Sequence, residues 1–165
     1  MSESQPSESG EEHGCDEGTH SVISPDQVVF EASRRVEFRD TDAAGITHFS
    51  AFFPMMESVE HEFLRSIDVS VMPPHDGVER LTWPRKSVSC DFHGPARFED
   101  ELLVTVFIDR LGESSLTYRF EITHDGRPIA TGRITAVCCD LREGGKLIKA
   151  RVPDSLRQKL IDRTT

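Results

Sequence analysis

The sequence lacks long hydrophobic runs, and it lacks any concentration of basic charge. Its longest apolar runs span only a handful of its residues, whereas a membrane-spanning helix needs about 20 consecutive apolar residues. No apolar segment follows the N-terminal methionine, so no secretory signal is predicted. The formal net charge is −10, and no basic patch of the kind that binds nucleic acid is apparent. These absences predict a cytoplasmic protein that has neither a membrane nor a nucleic acid as partner.

Cysteine is also scarce, and its spacing does not indicate a metal site. No C-x-x-C pair occurs among the four cysteines, which are Cys15, Cys90, Cys138 and Cys139. A zinc knuckle or a disulfide framework is therefore not predicted, and reduced, packed thiols are the simpler interpretation.

The familiar motifs of metal, nucleophilic-serine and phosphate sites are incomplete or missing. Residues 40–45 begin like a calcium-binding loop, but Ala44 and Ala51 occupy positions that need oxygen ligands. The pair His61-Glu62 begins like the helix of a zinc protease, but Arg65 stands where the second histidine is required. Neither a G-x-S-x-G elbow nor a P-loop is present. The sequence therefore predicts no metal ion.

The negative charge is concentrated in the first 27 residues. This segment holds seven of the 29 acidic residues and no Lys or Arg, so the other 138 residues carry 22 acidic and 19 basic side chains. A segment with so few large apolar residues cannot bury enough surface to offset the entropy lost on ordering. We predict a disordered, dispensable acidic tail over residues 1–27 and one folded domain over residues 28–165.

The rest of the chain shows the periodicities of one long helix and several strands. Residues 28–38 are rich in β-branched and aromatic side chains and predict a first strand. A helix with its N-cap at Ser50 is predicted from apolar side chains at helical spacing, namely Phe52, Met55, Met56, Val59, Phe63 and Ile67. Turn residues separate four further strand-like segments and predict an antiparallel meander over about residues 81–92, 102–109, 116–123 and 129–141. With a short helix over residues 153–161, the order predicts an α+β fold.

Two carboxylates precede the predicted long helix. Asp40 and Asp42 lie on a turn-prone segment that contains Gly45, and the backbone amides near Phe49 and Ser50 should point outward from the helix start. Such amides can stabilise negative charge that develops on an acyl oxygen. A carboxylate beside them could attack a carbonyl carbon or activate water. Aspartates before a helix are more often turn formers or caps, so both interpretations remain open at this point.

Three segments of the sequence carry a resemblance to a known family. Residues 36–49, V-E-F-R-D-T-D-A-A-G-I-T-H-F, resemble the opening signature of the 4-hydroxybenzoyl-CoA thioesterase family of hot-dog proteins. Residues 60–65 are similar to the end of that family's central helix. Residues 92–98, F-H-G-P-A-R-F, followed by Asp100, resemble its P-A-R-aromatic-x-D strand entry. The resemblance covers about residues 28–150 and implies a hot-dog fold, in which a five-stranded antiparallel sheet wraps around one long central helix.

The resemblance also implies an activity and a catalytic group. The activity is hydrolysis of an acyl-CoA thioester, whose acyl group is either aliphatic or aromatic. Asp42 is implied as the catalytic carboxylate, acting as nucleophile or as general base, and the backbone amide of Phe49 as the donor that polarises the thioester carbonyl. Asp40 is expected to brace the loop. No cofactor is expected, because coenzyme A is part of the substrate.

Further substrate contacts are implied close to this motif, at Gly45, His48, Phe52, Glu57 and Arg97. His48 could instead be packed against aromatic neighbours, and Glu57 could be solvated or structural. Ala51 replaces a polar residue that is common in the family, which leaves the acyl group open. The phosphates of CoA need basic side chains near the pocket mouth, for which the candidates are Arg85, Lys86, Arg97, Arg110, Arg142 and Lys146.

Two other functions are compatible with the same fold. An enoyl-CoA hydratase usually pairs an acid with a histidine in a different local motif, which is not found here. A non-catalytic acyl-CoA-binding protein would keep the pocket without turnover, and the presence of Asp42 and Gly45 argues against it. Fold alone does not decide between these functions.

The predicted sheet also implies a partner. A single five-stranded sheet leaves strand edges with unpaired backbone groups, and proteins rarely leave such edges bare. Pairing two copies edge to edge satisfies these groups through a two-fold contact. Since the resemblance places the pocket at this interface, we expect a homodimer, or a homotetramer built from two such dimers.

Overall fold

The computed structural model describes residues 23–71 and 80–164 and shows two β-sheets with one long helix and one shorter helix. The bounds, in chain order, are β1 Val28–Arg35, α1 Phe52–Ser66, β2 Leu81–Thr82, β3 Arg85–Phe92, β4 Glu101–Leu111, β5 Ser115–His124, β6 Arg127–Val137, β7 Cys139–Leu141, β8 Leu147–Lys149 and α2 Asp154–Thr164, with 3-10 turns over Phe38–Asp40, Phe49–Ala51 and Glu143–Gly145. The predicted α+β fold, with a five-stranded antiparallel sheet and one long helix, is confirmed. Among the described residues, no helix is both long enough and apolar enough to span a membrane.

The main sheet has the strand order β1-β4-β5-β6-β3, and every pair in it is antiparallel. The predicted meander holds for β4, β5 and β6 but is wrong for β3, which pairs with β6 at the far edge. The chain must therefore cross the sheet between β3 and β4, and it does so through residues 93–100. The strand predicted over residues 129–141 is also divided, because its last part, β7, leaves the main sheet and pairs with β2 and β8.

The core lies between α1 and one face of the main sheet. Strands β4 and β5 alternate as predicted, and their even-numbered side chains Leu102, Val104, Val106, Ile108, Leu116, Tyr118, Phe120 and Ile122 are buried with the apolar stripe of α1. The helix approaches β6 closely at Gly132, where an added Cβ would lie 2.0 Å from the Sδ atom of Met56. Pro54 causes no break, because it lies in the first turn of α1.

The first described residues contact the face of the sheet opposite to α1 through Pro25. The side chain of Arg119 stacks 3.9 Å from the ring centroid of Phe107 and is paired with Asp109 at 3.0 Å. Its Nη2 atom donates a 3.0 Å hydrogen bond to the carbonyl oxygen of Pro25, and Ile23 packs against the hydrophobic core. Residues 1–22 of the predicted tail, and the predicted loop over residues 72–78, lie outside the described residues. The boundary at residue 27 stays a prediction.

These contacts divide the predicted tail into two parts that truncation can separate. We expect deletion of residues 1–22 to change the melting temperature by less than about 2 °C and to leave activity intact, because this Ser-, Glu- and Gly-rich segment holds almost no large apolar side chains that could pack. Deletion of residues 1–27 also removes the packing of Ile23 and the Pro25–Arg119 hydrogen bond. We expect that deletion to lower the melting temperature by about 2–6 °C. Calorimetry on both truncated proteins measures the difference, and equal melting temperatures would contradict it.

Candidate active site

Asp42 lies on a tight loop between β1 and α1, at the end of the sheet where β1 ends and β4 begins. The loop is closed by the Thr41–Thr47 bridge and by a 3.0 Å hydrogen bond from the amide of Asp42 to the carbonyl oxygen of Ile46. The turn needs Gly45, whose φ of +73° is disfavoured for other residues. The Oδ1 atom of Asp42 accepts a 2.8 Å hydrogen bond from the amide of Ala44, and the side chain is exposed. The carboxylate is thus oriented while it remains accessible.

The crossing segment 93–100 is hydrogen-bonded to this loop. The amide of Thr47 donates to the carbonyl oxygen of Ala96 at 2.8 Å, and the Thr47 hydroxyl donates to the same oxygen at 3.1 Å. Farther along, the amide of Val36 donates to the carbonyl oxygen of Asp100, and the amide of Glu99 donates to that of Val36, both at 2.9 Å. Two of the three segments that carry the family resemblance are therefore hydrogen-bonded to each other.

Asp40 makes the contacts of a structural residue. Its Oδ2 atom accepts a 3.0 Å hydrogen bond from the amide of Glu37, and its carbonyl oxygen accepts a 2.7 Å hydrogen bond from the amide of His48. Together with Glu37 it forms a reciprocal capping box around the 3-10 turn Phe38–Asp40. Each carboxylate of the motif therefore accepts one backbone amide, but the Asp40 side chain is 20% exposed, whereas Asp42 is an exposed residue.

The start of the helix differs from the prediction at Ser50. A 3-10 turn over Phe49–Ala51 precedes α1, and His48 is its N-cap, because Nδ1 of His48 accepts the amide of Ser50 at 3.3 Å. The same nitrogen lies 2.7 Å from Oγ of Ser50. Phe49 is the first residue of the turn, so its amide has no partner within the turn. This amide is the one that the sequence analysis assigned to polarisation of the thioester carbonyl.

Aromatic side chains surround this end of the sheet. The ring of Phe49 is 60% exposed and lies 4.4 Å from the imidazole of His48. Phe52, at the start of α1, is buried, and its ring lies 5.4 Å from that of Phe92 at the end of β3. Phe49 thus exposes apolar surface directly after the loop that carries Asp42.

Comparison with known proteins identifies the family. The sequence profile of the thioesterase-like superfamily matches residues 36–160. The chain belongs to this superfamily. It is 33% identical to a 1,4-dihydroxy-2-naphthoyl-CoA hydrolase from Parasynechococcus marenigrum over 132 residues, which cover 74% of this chain and 85% of that protein.

Solved structures confirm the hot-dog fold. A 1,4-dihydroxy-2-naphthoyl-CoA thioesterase from Synechocystis superposes with a TM-score of 0.71 at 28% identity, covering 81% of this chain and 96% of that one. A gentisyl-coenzyme A thioesterase superposes with a TM-score of 0.67 at 25% identity, covering 79% and 99% respectively. The predicted membership in a hot-dog thioesterase family is therefore confirmed.

The thioesterase also carries a buried ion cluster that the sequence analysis missed. Glu60, on α1, is only 2% exposed, and its Oε1 atom accepts a 2.8 Å hydrogen bond from Arg85 at the start of β3. Arg85 also lies 3.4 Å from Glu57, which is exposed. Burial raises the pKa of Glu60, although the hydrogen bond and the charge of Arg85 act to lower it. Helical spacing could have indicated this burial, because Glu60 follows Met56 by four residues on the apolar stripe.

The structure separates the predicted cation candidates by their partners. Arg85 is held by Glu60, and Arg142 pairs with Asp140 at 2.7 Å. Arg97 lies on the crossing segment, exposed, and no ion pair of its guanidinium is found among the described residues. Arg97 is therefore the candidate that is both near the Asp42 loop and available to a phosphate.

The thiol of Cys90 does not offer a competing nucleophile. Cys90 is half-buried on β3, and burial raises its pKa to about 11. A thiol with so high a pKa is protonated near neutral pH and is a poor nucleophile. The exposed carboxylate of Asp42 is the stronger candidate.

The Glu60–Arg85 pair leads to a stability prediction. We expect Arg85→Met to lower the free energy of unfolding by about 3 kcal/mol near pH 8, because it leaves a buried carboxylate unpaired. The loss should be smaller near pH 5. A carboxyl group with a raised pKa in the folded state stabilises the fold at low pH, and that contribution disappears as the pH rises through the folded pKa.

Denaturant titrations at both pH values test this effect. Glu57→Gln is the matched control, and it should cost less than about 0.5 kcal/mol because Glu57 is at the exposed end of the same cluster. Adding Glu60→Gln to Arg85→Met should remove the pH dependence. Equal losses at both pH values in the single Arg85 variant would contradict the raised pKa of Glu60.

Proposed function

We propose that this thioesterase hydrolyses an acyl-CoA thioester to the free acid and CoA, with Asp42 as its catalytic carboxylate. The observation that carries the proposal is the Thr41–Thr47 bridge, which closes the loop holding Asp42 shortly before Phe49, whose amide has no partner within its turn. A carboxylate and a backbone donor are thereby presented from one rigid segment. The names of the relatives, which are hydrolases or thioesterases of naphthoyl-CoA and gentisyl-CoA, support CoA thioesters as the substrate class.

Two chemical routes are consistent with this arrangement. In the first, an Asp42 oxygen attacks the thioester carbonyl carbon, and the C–S bond breaks to release CoA thiolate, which takes up a proton. Water then hydrolyses the resulting mixed anhydride and regenerates the carboxylate. In the second, Asp42 takes a proton from a water molecule as the water oxygen attacks the same carbon. The C–S bond then breaks, and the CoA thiolate leaves and takes up the proton, which yields the free acid and restores the carboxylate. In both routes the amide of Phe49 would stabilise the charge that develops on the carbonyl oxygen.

The other residues assigned to the substrate have distinct placements. Gly45 permits the turn that orients Asp42, and His48 caps the 3-10 turn that presents the Phe49 amide. Phe52 is buried behind that turn, so it would support the turn from within the core rather than contact the substrate directly. Glu57 lies one turn farther along α1, beside Arg85. We infer that Glu57 would meet a polar substituent of the acyl group.

The acyl group is proposed to be aromatic. The exposed ring of Phe49 follows the loop of Asp42, and aromatic rings pair favourably with one another. The relatives named above act on naphthoyl- and gentisyl-CoA. No observation favours hydration of a double bond or binding without turnover. A panel of aromatic and aliphatic acyl-CoA esters, read by thiol release, tests the preference.

Replacing Asp42 and Asp40 one at a time distinguishes a residue needed for the chemical step from one needed for the structure of the loop. We expect Asp42→Asn to lower kcat by at least about 100-fold with little change in the melting temperature, because Asn keeps the shape but is neither nucleophile nor base. Asp40→Asn is the matched control. It should lower the melting temperature more than the rate, since it weakens the hydrogen bond to the Glu37 amide. Steady-state kinetics and calorimetry on both proteins are the measurements, and an Asp42→Asn variant within about tenfold of wild type would remove Asp42 from this role.

We also infer that the protein forms a homodimer through β3. Val88, Cys90 and Phe92 pair with Ile134, Gly132 and Ala130 of β6, so their side chains point to the face that packs on α1. Nevertheless, Val88 is 50% and Phe92 is 51% exposed. The helix therefore does not cover this edge of its own core. A second copy added across β3 would cover these side chains and pair the free backbone groups of the edge.

Introduction of a charge on this apolar edge tests the assembly. We expect Val88→Lys to yield a monomer of about 18.6 kDa with little activity, because a charge on an edge strand opposes pairing. Val28→Lys is the matched control, since Val28 is exposed on the other edge strand, β1. It should leave the dimer intact. Sedimentation at assay concentrations is the measurement, and a fully active wild-type monomer would refute the inferred dimer.

A further inference from the structure

Two exposed phenylalanines meet beside the proposed active site. Phe38 follows β1 and is 79% exposed, and Phe98 lies on the crossing segment and is 48% exposed. Their ring centroids are 6.2 Å apart, and the planes are at 90°. Single exposed apolar side chains are common on protein surfaces, but two aromatic rings from separate segments form a contiguous platform.

The backbone beneath both rings is fixed. Phe38 belongs to the 3-10 turn that Glu37 and Asp40 hold in a capping box. On the other side, the amide of Arg97 donates to Oδ2 of Asp100 at 2.8 Å, and the amide of Asp100 donates back to the carbonyl oxygen of Arg97 at 3.0 Å. A platform that is already ordered loses little entropy when a flat ligand stacks on it.

Arginines and glutamates both border the platform, since Glu37 and Arg39 flank Phe38, and Arg97 and Glu99 flank Phe98 in the chain. Arg39, next to Phe38, has a side chain that is 86% exposed, and its Nε atom lies 3.9 Å from Oδ1 of Asp40. Arg97, next to Phe98, is exposed as well. Each aromatic ring thus has an arginine as its neighbour in the chain. An aromatic ring face beside guanidinium groups is a combination that recognises a base together with phosphates.

We propose that Phe38 and Phe98 hold the adenine of CoA, one ring stacked on its face and the other against its edge, while Arg39 and Arg97 contact its phosphates. This assignment rests on the proposed function, because it concerns the nucleotide end of the same substrate. It requires only binding of the nucleotide and not catalysis, since the nucleotide takes no part in the chemical step. Phe38 and Phe98 are therefore binding residues for the part of CoA that lies away from the thioester.

Binding of the product CoA tests the proposal without depending on turnover. We expect Phe38→Ala and Phe98→Ala each to raise the Kd for CoA about fivefold or more, as loss of one stacking contact predicts. The Kd for pantetheine, which lacks the nucleotide, should not change. Phe38→Trp should retain CoA binding because it keeps an aromatic face. Leu147→Ala is the matched control, since Leu147 is similarly exposed on β8, and it should bind CoA like the wild type.

The phosphate contacts have a separate test. Arg39→Gln and Arg97→Gln should each weaken CoA binding and reduce its dependence on salt concentration, whereas Lys149→Gln, an exposed change on β8, should do neither. Adenosine 3′,5′-bisphosphate should compete with CoA for the wild-type protein but bind Phe38→Ala weakly. Isothermal titration gives all of these constants.

The outcomes separate this proposal from the proposed function. If the protein binds CoA through Phe38 but hydrolyses no thioester, the nucleotide site stands and the hydrolase assignment fails. If it hydrolyses acyl-CoA while Phe38→Ala and Phe98→Ala leave the Kd for CoA unchanged, the nucleotide site is overturned. It is also overturned if Phe38→Ala dissociates the assembly in sedimentation, because the two rings would then be covered by a second copy.

Discussion

The backbone hydrogen bonds between the Asp42 loop and the crossing segment 93–100 are the constraint on which the rest of this site depends. β3 and β4 are consecutive in sequence but not adjacent in the sheet, so the chain must cross the end of the sheet to connect them. In crossing, it passes beneath the loop that follows β1 and accepts the hydrogen bonds of Thr47. A loop held in this way can keep an exposed carboxylate oriented, whereas a free surface loop would not.

The same crossing explains why aromatic surface is concentrated at one end of the domain. The ends of β1 and β3 and the start of β4 all lie there, and each contributes a ring that its own sheet does not cover. Phe92 belongs to the strand edge, while Phe38 and Phe98 belong to the two hydrogen-bonded loops. The three rings therefore have two proposed partners. A second copy of the chain would cover Phe92, and a nucleotide would cover Phe38 and Phe98.

The sequence anticipated much of the fold and part of the site. Strict alternation in β4 and β5 and helical spacing in α1 were readable, because each element buries one face and leaves the other polar. The burial of Glu60 was missed although its spacing from Met56 indicates it, and its partner Arg85 lies too far along the chain for a local pattern to show. The position of β3 was wrong because local turn signals indicate which strands are connected, not which are neighbours. The cap predicted at Ser50 was wrong, since a 3-10 turn capped by His48 precedes the helix, and Ala51 is at the N-cap position of α1.

What the sequence determined by itself is the family, the element types and the motif that contains Asp42, because periodicity and short motifs are local properties of the chain. What only the tertiary structure decided is which side chains meet. The pairing of Arg85 with Glu60, of Phe38 with Phe98, and of Thr47 with Ala96 joins residues that are 25, 60 and 49 positions apart in the chain. Such contacts depend on the order of strands in the sheet and on the path of the crossing segment. No local pattern encodes that path, since it follows from how the whole sheet closes over one helix.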